Sequence, residues 1–224
     1  MVPTTIWEAP LVTGTVSLKS LLPDLAPAFN MTPAALYERQ RALVRAGWLS
    51  SKEGKGPGSG VQATPRSVSL LLISILATDS LSEVQSEVGQ FASLRIEADL
   101  ERSDERERRS SPVPCCPVSE QRKFDRTLET LLSSPVLAAR TSRIIAWRGE
   151  AQARIDFDED GDGVAWSSLF GKPRRKQTGL LRIEASLGPS PLVQIANLIP
   201  EACVAWWSGY SDEELLEAIE LFNL

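Results

Sequence analysis

Residues 32–64 read TPAALYERQRALVRAGWLSSKEGKGPGSGVQAT, and the punctuation inside them decides how the first part of the chain folds. Thr32 offers a hydroxyl that can cap free amide groups. Pro33 suits the first helical turn, where its missing N–H is not needed, and Gly47 can take the left-handed conformation that stops a helix. A helix over 32–46 follows. At 100° per residue Leu36, Gln40, Leu43 and Val44 gather on one side and Ala34, Glu38, Arg41 and Arg45 on the other, so an apolar stripe backs a face of arginines. Residues 50–62 carry Lys52 and Lys55 among several glycines and read as a basic hairpin.

Upstream, VSLKSLLPDLAPAFN over 16–30 places Leu18, Leu21, Leu22, Leu25 and Phe29 at helical spacing, with Pro23 and Pro27 dividing it into short pieces. Residues 7–14 contain Pro10 and read as extended chain. Downstream, RSVSLLLISILAT over 66–78 is apolar on nearly every side, as a helix buried among several neighbours would be, while its β-branched residues leave a strand open. Residues 80–94 put Leu81, Val84, Val88 and Phe91 on one stripe, for packing within the chain or pairing with a second copy.

Residues 99–117, DLERSDERERRSSPVPCCP, mix charges of both signs and end in serines and prolines, so the domain boundary is expected there. Arg106, Arg108 and Arg109 are interleaved with acids and read as a solvated linker. Beyond it, residues 120–133 form an amphipathic helix on Phe124, Leu128, Leu131 and Leu132. RIIAW (143–147) and AQARIDF (151–157) read as a hairpin, and VAWSSLF (164–170) and LLRIEASL (180–187) as two further strands. Residues 191–199 are ambiguous. SDEE at 211–214 opens a C-terminal helix through a capping box, with Leu215, Leu216, Ile219 and Phe222 inward.

The expected fold class is therefore α+β, with an N-terminal domain over 1–98, a charged linker over 99–117, and a C-terminal domain over 118–224. That last domain carries an antiparallel sheet of about four strands flanked by helices.

Composition narrows function by exclusion. Histidine is absent from all 224 residues, which removes the commonest general base and transition-metal ligand. No phosphate-cradling GxxxxGK[ST] and no GxSxG occur, and no cofactor or metal site is expected. The three cysteines, Cys115 and Cys116 adjacent and Cys203 alone, form neither a CxxC pair nor a disulfide framework, so reduced thiols and a cytoplasmic location are expected. No apolar run is long enough to span a membrane. The net charge is −5, yet residues 1–65 hold six Lys/Arg against four Asp/Glu. Screening over ~8 Å lets a local basic surface act alone.

LYERQRALVRAGWL over 36–49 resembles the recognition helix and first wing strand of winged helix-turn-helix transcriptional regulators. The match rests on Leu36 and Leu43, on the AGWL exit and on the basic glycine-rich loop closed by VQATP, and it covers residues 16 to about 74. The chain departs from the family pattern where an earlier helix belongs. The resemblance implies a sequence-specific regulator of transcription that binds double-stranded DNA, with the base-reading role at Ala34, Tyr37, Glu38 and Arg41 and phosphate contacts at Thr32, Arg45, Lys52 and Lys55. Chemistry agrees, since arginine can pair bidentately with guanine and glutamate can accept from cytosine, while lysines neutralise phosphates. Tyr37, at the edge of the apolar stripe, serves a packing role equally well.

Three other features stand outside the resemblance. DFDEDG over 156–161 matches the start of a calcium loop, but Ser167 stands where the bidentate glutamate belongs, so an acidic turn is expected. The same carboxylates, Asp156 to Asp162, have no nucleophile or base beside them, and no enzyme activity is expected. Lys172, Arg174, Arg175 and Lys176 form a basic loop that is either solvated or a second phosphate contact. Trp206, Trp207 and Tyr210 suit the C-terminal core or a surface for a protein partner. A homodimer reading two half-sites is expected, and the alternative is a non-catalytic adaptor built on the same winged helix and aromatic surface.

Overall fold

A computed structural model of the chain describes residues 16–52, 54, 59–101, 123–157, 166–172 and 183–199. Among them the chain is α+β, with seven helices and a single antiparallel sheet.

Helix α1 (Leu18–Leu25) starts where the Ser17 hydroxyl accepts from the Ser20 amide, and it buries Leu18, Leu21, Leu22 and Leu25. It runs through Pro23, so Pro27, in the turn that follows, is the proline that stands outside it. The turn closes through Asn30 in the left-handed region (φ 50°). Helix α2 (Pro33–Arg45) then begins with Thr32 Oγ1 accepting from Ala35 N at 3.2 Å. It ends as expected at Gly47, whose φ of 77° costs glycine nothing. Gly47 N donates to Val44 O at 3.0 Å and Trp48 N to Leu43 O at 2.9 Å, the paired bonds that satisfy the last carbonyls of a helix.

The hairpin after α2 is anchored at both ends. Lys52 and Gly60 exchange backbone bonds of 3.0 and 2.8 Å, and Leu18 N donates to Val61 O at 2.7 Å while Ala63 N donates to Val16 O at 2.8 Å. Residues 59–63 thus lie between the chain entering α1 and the chain leaving α2, which fixes both helices against the hairpin. Thr64 and Ser67 form a reciprocal capping pair that starts α3 (Pro65–Ala77). Helix is the outcome for this segment. It is buried on nearly every side, with Leu70, Leu71, Leu72 and Ile73 all at 1% exposure or less.

The stripe of α4 (Val84–Ser93) is spent inside the chain, against α2, α3 and α5, and Leu81 stays outside the helix, 44% exposed.

The sheet corrects the sequence expectation. It has five strands in the order β1-β4-β3-β2-β5, all antiparallel: β1 (Ile96–Glu101), β2 (Thr141–Arg148), β3 (Gln152–Phe157), β4 (Trp166–Phe170) and β5 (Ile183–Leu187). The strand missed by sequence is β1. Its charged tail reads as linker, yet Asp99, Leu100 and Glu101 pair with Ser168, Ser167 and Trp166 at an edge, where one side of the strand needs no apolar partner. Helices α5 (Phe124–Ser133), α6 (Pro135–Ala139) and α7 (Pro189–Leu198) complete the described residues, α7 resolving the ambiguous segment. The C-terminal helix, Trp206, Trp207, Tyr210 and all three cysteines lie outside them.

The division at 99–117 does not separate two cores. Residues from α1 to α4 and from α5 to α7 belong to one continuous apolar cluster, in which α3 touches both α5 and β2. Phe124 of α5 and Phe170 of β4 meet edge to face, 5.2 Å between centroids and 61° between planes. Phe124→Leu is expected to lower stability by ~1–2 kcal/mol, because it removes that contact and part of the buried ring. A denaturant midpoint unchanged by the substitution would show that the pair contributes nothing.

Candidate nucleic-acid interface

Helix α2 sorts its side chains sharply. Leu36, Arg39, Gln40, Ala42 and Leu43 are buried, Thr32, Ala34, Arg41 and Arg45 are exposed, and Tyr37 and Glu38 are half-buried. The arginine face expected from the helical wheel is therefore on the surface. Arg41 Nη1 pairs with Glu38 Oε1 at 3.0 Å, and both side chains are well exposed, so the pair is worth only ~0.3–0.5 kcal/mol and opens at little cost. Arg45 Nε donates to Arg41 O at 3.4 Å. Tyr37 takes the packing role: it lies against the core cluster, and its ring is 5.0 Å from the Lys19 ammonium of α1.

Between α2 and the hairpin runs a cleft of about 510 Å³. Its lining joins Lys19, Tyr37, Gln40, Arg41, Val44 and Arg45 to the hairpin residues Ser51, Ser59, Gly60 and Val61. Among the described residues three cations face it and no carboxylate lines it. The structure thus brings Tyr37, Arg41 and Arg45 together on one cleft, with Thr32 and Ala34 exposed at the start of the same helix. Lys52, also exposed, sits at the hairpin's bridge to Gly60. Lys55 lies outside the described residues.

Sequence reasoning missed three residues here. Lys19 carried no expected role because residues 16–30 are read from their apolar spacing alone. Gln40 was taken simply as part of the apolar stripe, yet it is 6% exposed and no donor among the described residues reaches its Oε1. Arg39 was assigned to neither face. It sits only ~60° round the helix from Leu36, close enough to be drawn inward, and that offset was a signal that could have found it.

Buried Arg39 points at the end of α3. Its Nη1 donates to Ser74 O at 2.6 Å and its Nη2 to Asp79 O at 3.4 Å. Burial pulls the guanidinium below its ordinary value, the Asp79 charge opposes this, and the nearby Arg148 adds to it. Arg148, at the end of β2, approaches the same helix end: Nε donates to Leu76 O at 2.9 Å, Nη2 to Ile75 O at 2.8 Å, and Nη1 pairs with Asp79 Oδ2. Two cations from distant parts of the chain thus satisfy the last carbonyls of α3, where the helix dipole is negative.

The remaining candidates lie elsewhere. Lys172 follows β4 and is exposed, its carbonyl accepting from Gln152 Nε2 at 2.6 Å, whereas Arg174, Arg175 and Lys176 lie outside the described residues. Asp156, first in the calcium-loop reading, is buried on β3. Its Oδ1 accepts from Ser167 Oγ and its Oδ2 pairs with Arg154 at 3.0 Å. Both oxygens are engaged within the sheet; residues 158–165 lie outside the described residues. No helix among the described residues is long and apolar enough to cross a membrane. Compared with protein-family models, curated proteins and solved structures, the chain matches none.

Proposed function

We propose that the N-terminal part of the chain is a winged helix and that the protein is a sequence-specific DNA-binding regulator of transcription. Helix α2 enters the major groove and the basic hairpin lies on the backbone. The observation that carries this reading is the exposed Ala34–Arg41–Arg45 face of α2 beside a cleft whose described lining holds three cations and no carboxylate. A helix 13 residues long is ~20 Å, and the major groove, ~12 Å wide, admits it. Small Ala34 permits close approach, Arg41 offers a planar pair of donors for guanine, and the weak tie to Glu38 releases both groups. The anchored hairpin supports the reading too, because its two bridges hold Lys52 at a fixed place beside α2.

The test is selection of bound duplexes from a random pool by the full chain, followed by anisotropy titrations over a range of salt. A recurrent motif and affinity falling steeply with salt are expected, by a slope of ~0.9 per neutralised phosphate. No enrichment and no binding at low salt would refute the proposal.

Within that reading Arg41→Ala should cost ~1–3 kcal/mol on the selected site and relax the preference at one base pair. Equal loss on every duplex would make Arg41 a backbone contact. Substituting Lys52 and Lys55 together by alanine should reduce the salt slope by ~1–2 while leaving the motif unchanged. An unaltered slope would take the hairpin off the DNA.

A further inference from the structure

The two ends of the sheet are guarded differently. In the order β1-β4-β3-β2-β5 each outer strand leaves one row of backbone N–H and C=O groups without a neighbouring strand, and such a row is a template for a further strand. Edge strand β1 carries Glu97, Asp99 and Glu101, and three carboxylates on six residues oppose pairing with a second copy of itself. Edge strand β5 carries one, Glu184, and that charge is met inside the chain. Arg143 Nη2 donates to Glu184 Oε1 at 3.0 Å and Trp147 Nε1 to Glu184 Oε2 at 3.2 Å. No proline or lysine stands in β5, and its register with β2 is unbroken by a bulge. Among the described residues nothing bonds to its outer side.

The side chains of β5 sort by face. Ala185 and Leu187 lie against the core cluster, and Ile183, on the same face, is 50% exposed. A single exposed isoleucine needs no explanation in general, but this one stands on an open edge where pairing would cover it.

A second copy of β5 fits that edge. Antiparallel pairing centred on Ala185 aligns all five residues: Ala185 faces its own copy, Glu184 faces Ser186 and Ile183 faces Leu187, each of the last two twice by symmetry. The neighbouring registers are worse. A slip of one residue turns the copy's apolar face onto the charged one. A slip of two sets Glu184 against Glu184 in one direction, and in the other sets Ile183 against Pro189, which has no N–H to give. We propose that the chain forms a two-fold homodimer through β5, joining the two five-stranded sheets into one. The contact is short, so a transient dimer with a dissociation constant in the micromolar range is expected. It rests on the sheet edge and stands whether or not α2 binds DNA; where α2 does, the dimer presents two copies of it.

Sedimentation equilibrium of the full chain without DNA, from about 1 to 300 µM, tests this, and a monomer–dimer equilibrium is expected. Ile183→Lys, at an exposed position, should raise the dissociation constant by roughly tenfold or more, because it sets an ammonium against Leu187 of the copy. Ser186→Glu should do the same by placing a carboxylate opposite Glu184 of the copy, while Arg143, 3.4 Å from Ser186 Oγ, receives the new charge within its own chain. Mixed with a Glu184→Lys chain, the Ser186→Glu chain should dimerise again, since an ammonium and a carboxylate then face each other. Absence of that rescue would overturn the register centred on Ala185. Glu97→Lys, on the other edge, should change nothing. Thermal melts at the dilute end, where every variant is monomeric, check the fold. A monomer at every concentration, a dimer indifferent to Ile183→Lys and Ser186→Glu, or a dimer lost on Glu97→Lys would each overturn the proposal.

Discussion

A fragment of residues 1–98 is expected not to fold on its own, although composition places a domain boundary immediately after it. The reason lies in α3. In the full chain this helix is enclosed by α2 and α4 on one part of its surface and by α5, β2 and β5 on the rest, so the fragment would leave much of a nearly all-apolar helix in water. Each buried leucine or isoleucine returned to solvent loses ~1.5–3 kcal/mol, and three of them would cancel most of the ~5–15 kcal/mol that holds a typical domain together. The fragment also loses polar partners: Phe124 N no longer donates to Leu94 O, Asp125 no longer pairs with Arg66, and Arg148 no longer reaches the end of α3. Amide exchange and circular dichroism of the fragment, beside the full chain, check this. A fragment with a cooperative melt and protected α3 amides would show that residues 1–98 are self-contained after all, and that the contacts to α5 and β2 are additions to a finished core.

Much of the local structure was legible because local rules govern it. Thr32, Pro33 and Gly47 bound α2 through capping chemistry that depends on nothing distant, and the α2 wheel placed Leu36 and Leu43 inward and Arg41 and Arg45 outward. The hairpin of β2 and β3 was legible from its alternation and its turn, where Gly149 takes a φ of 80°. The rest depended on partners that sequence does not display. An edge strand such as β1 can carry charges because half of its surroundings are solvent, so its composition resembles a linker. The run of mixed charge after β1 reads as a boundary, yet at Lys123 the chain pairs with Arg95 and puts Phe124 into the core shared with the N-terminal helices.

The candidate site divided in the same way. The outward placement of Arg41 and Arg45 was legible, because it depends only on the helix period. Residues defined by what lies opposite them were not: Arg39 is buried because α3 ends beside it, Gln40 matters because the hairpin roofs a cleft, and Lys19 because α1 faces α2 across that cleft. Charge alone could not say which arginine of α2 is buried.

Arg148→Met is expected to lower stability by ~3–5 kcal/mol, the largest effect of any single substitution proposed for this chain. Its two bonds to the carbonyls of Leu76 and Ile75 are charge-assisted and partly buried, each worth ~1.5–3 kcal/mol, whereas the ion pair to Asp79 adds little because that carboxylate is 84% exposed. Methionine preserves the apolar stem and supplies no donor, so α3 would end in unsatisfied carbonyls. Arg39→Met removes the other cation at the same helix end, and with it a bond to Ser74 O that joins α2 to α3 beside their apolar packing. The two losses should not add. Arg148 opposes the charge on buried Arg39, so deleting one relieves repulsion on the other, while either deletion alone leaves the remaining cation free to turn toward the vacated carbonyls. The double variant should therefore be less stable than the sum of the single losses predicts, by ~0.5–3 kcal/mol, the usual range for residues sharing one network. Denaturation of the four proteins in one buffer measures this, and additivity within ~0.3–0.5 kcal/mol would mean that the sheet and α2 hold the end of α3 independently.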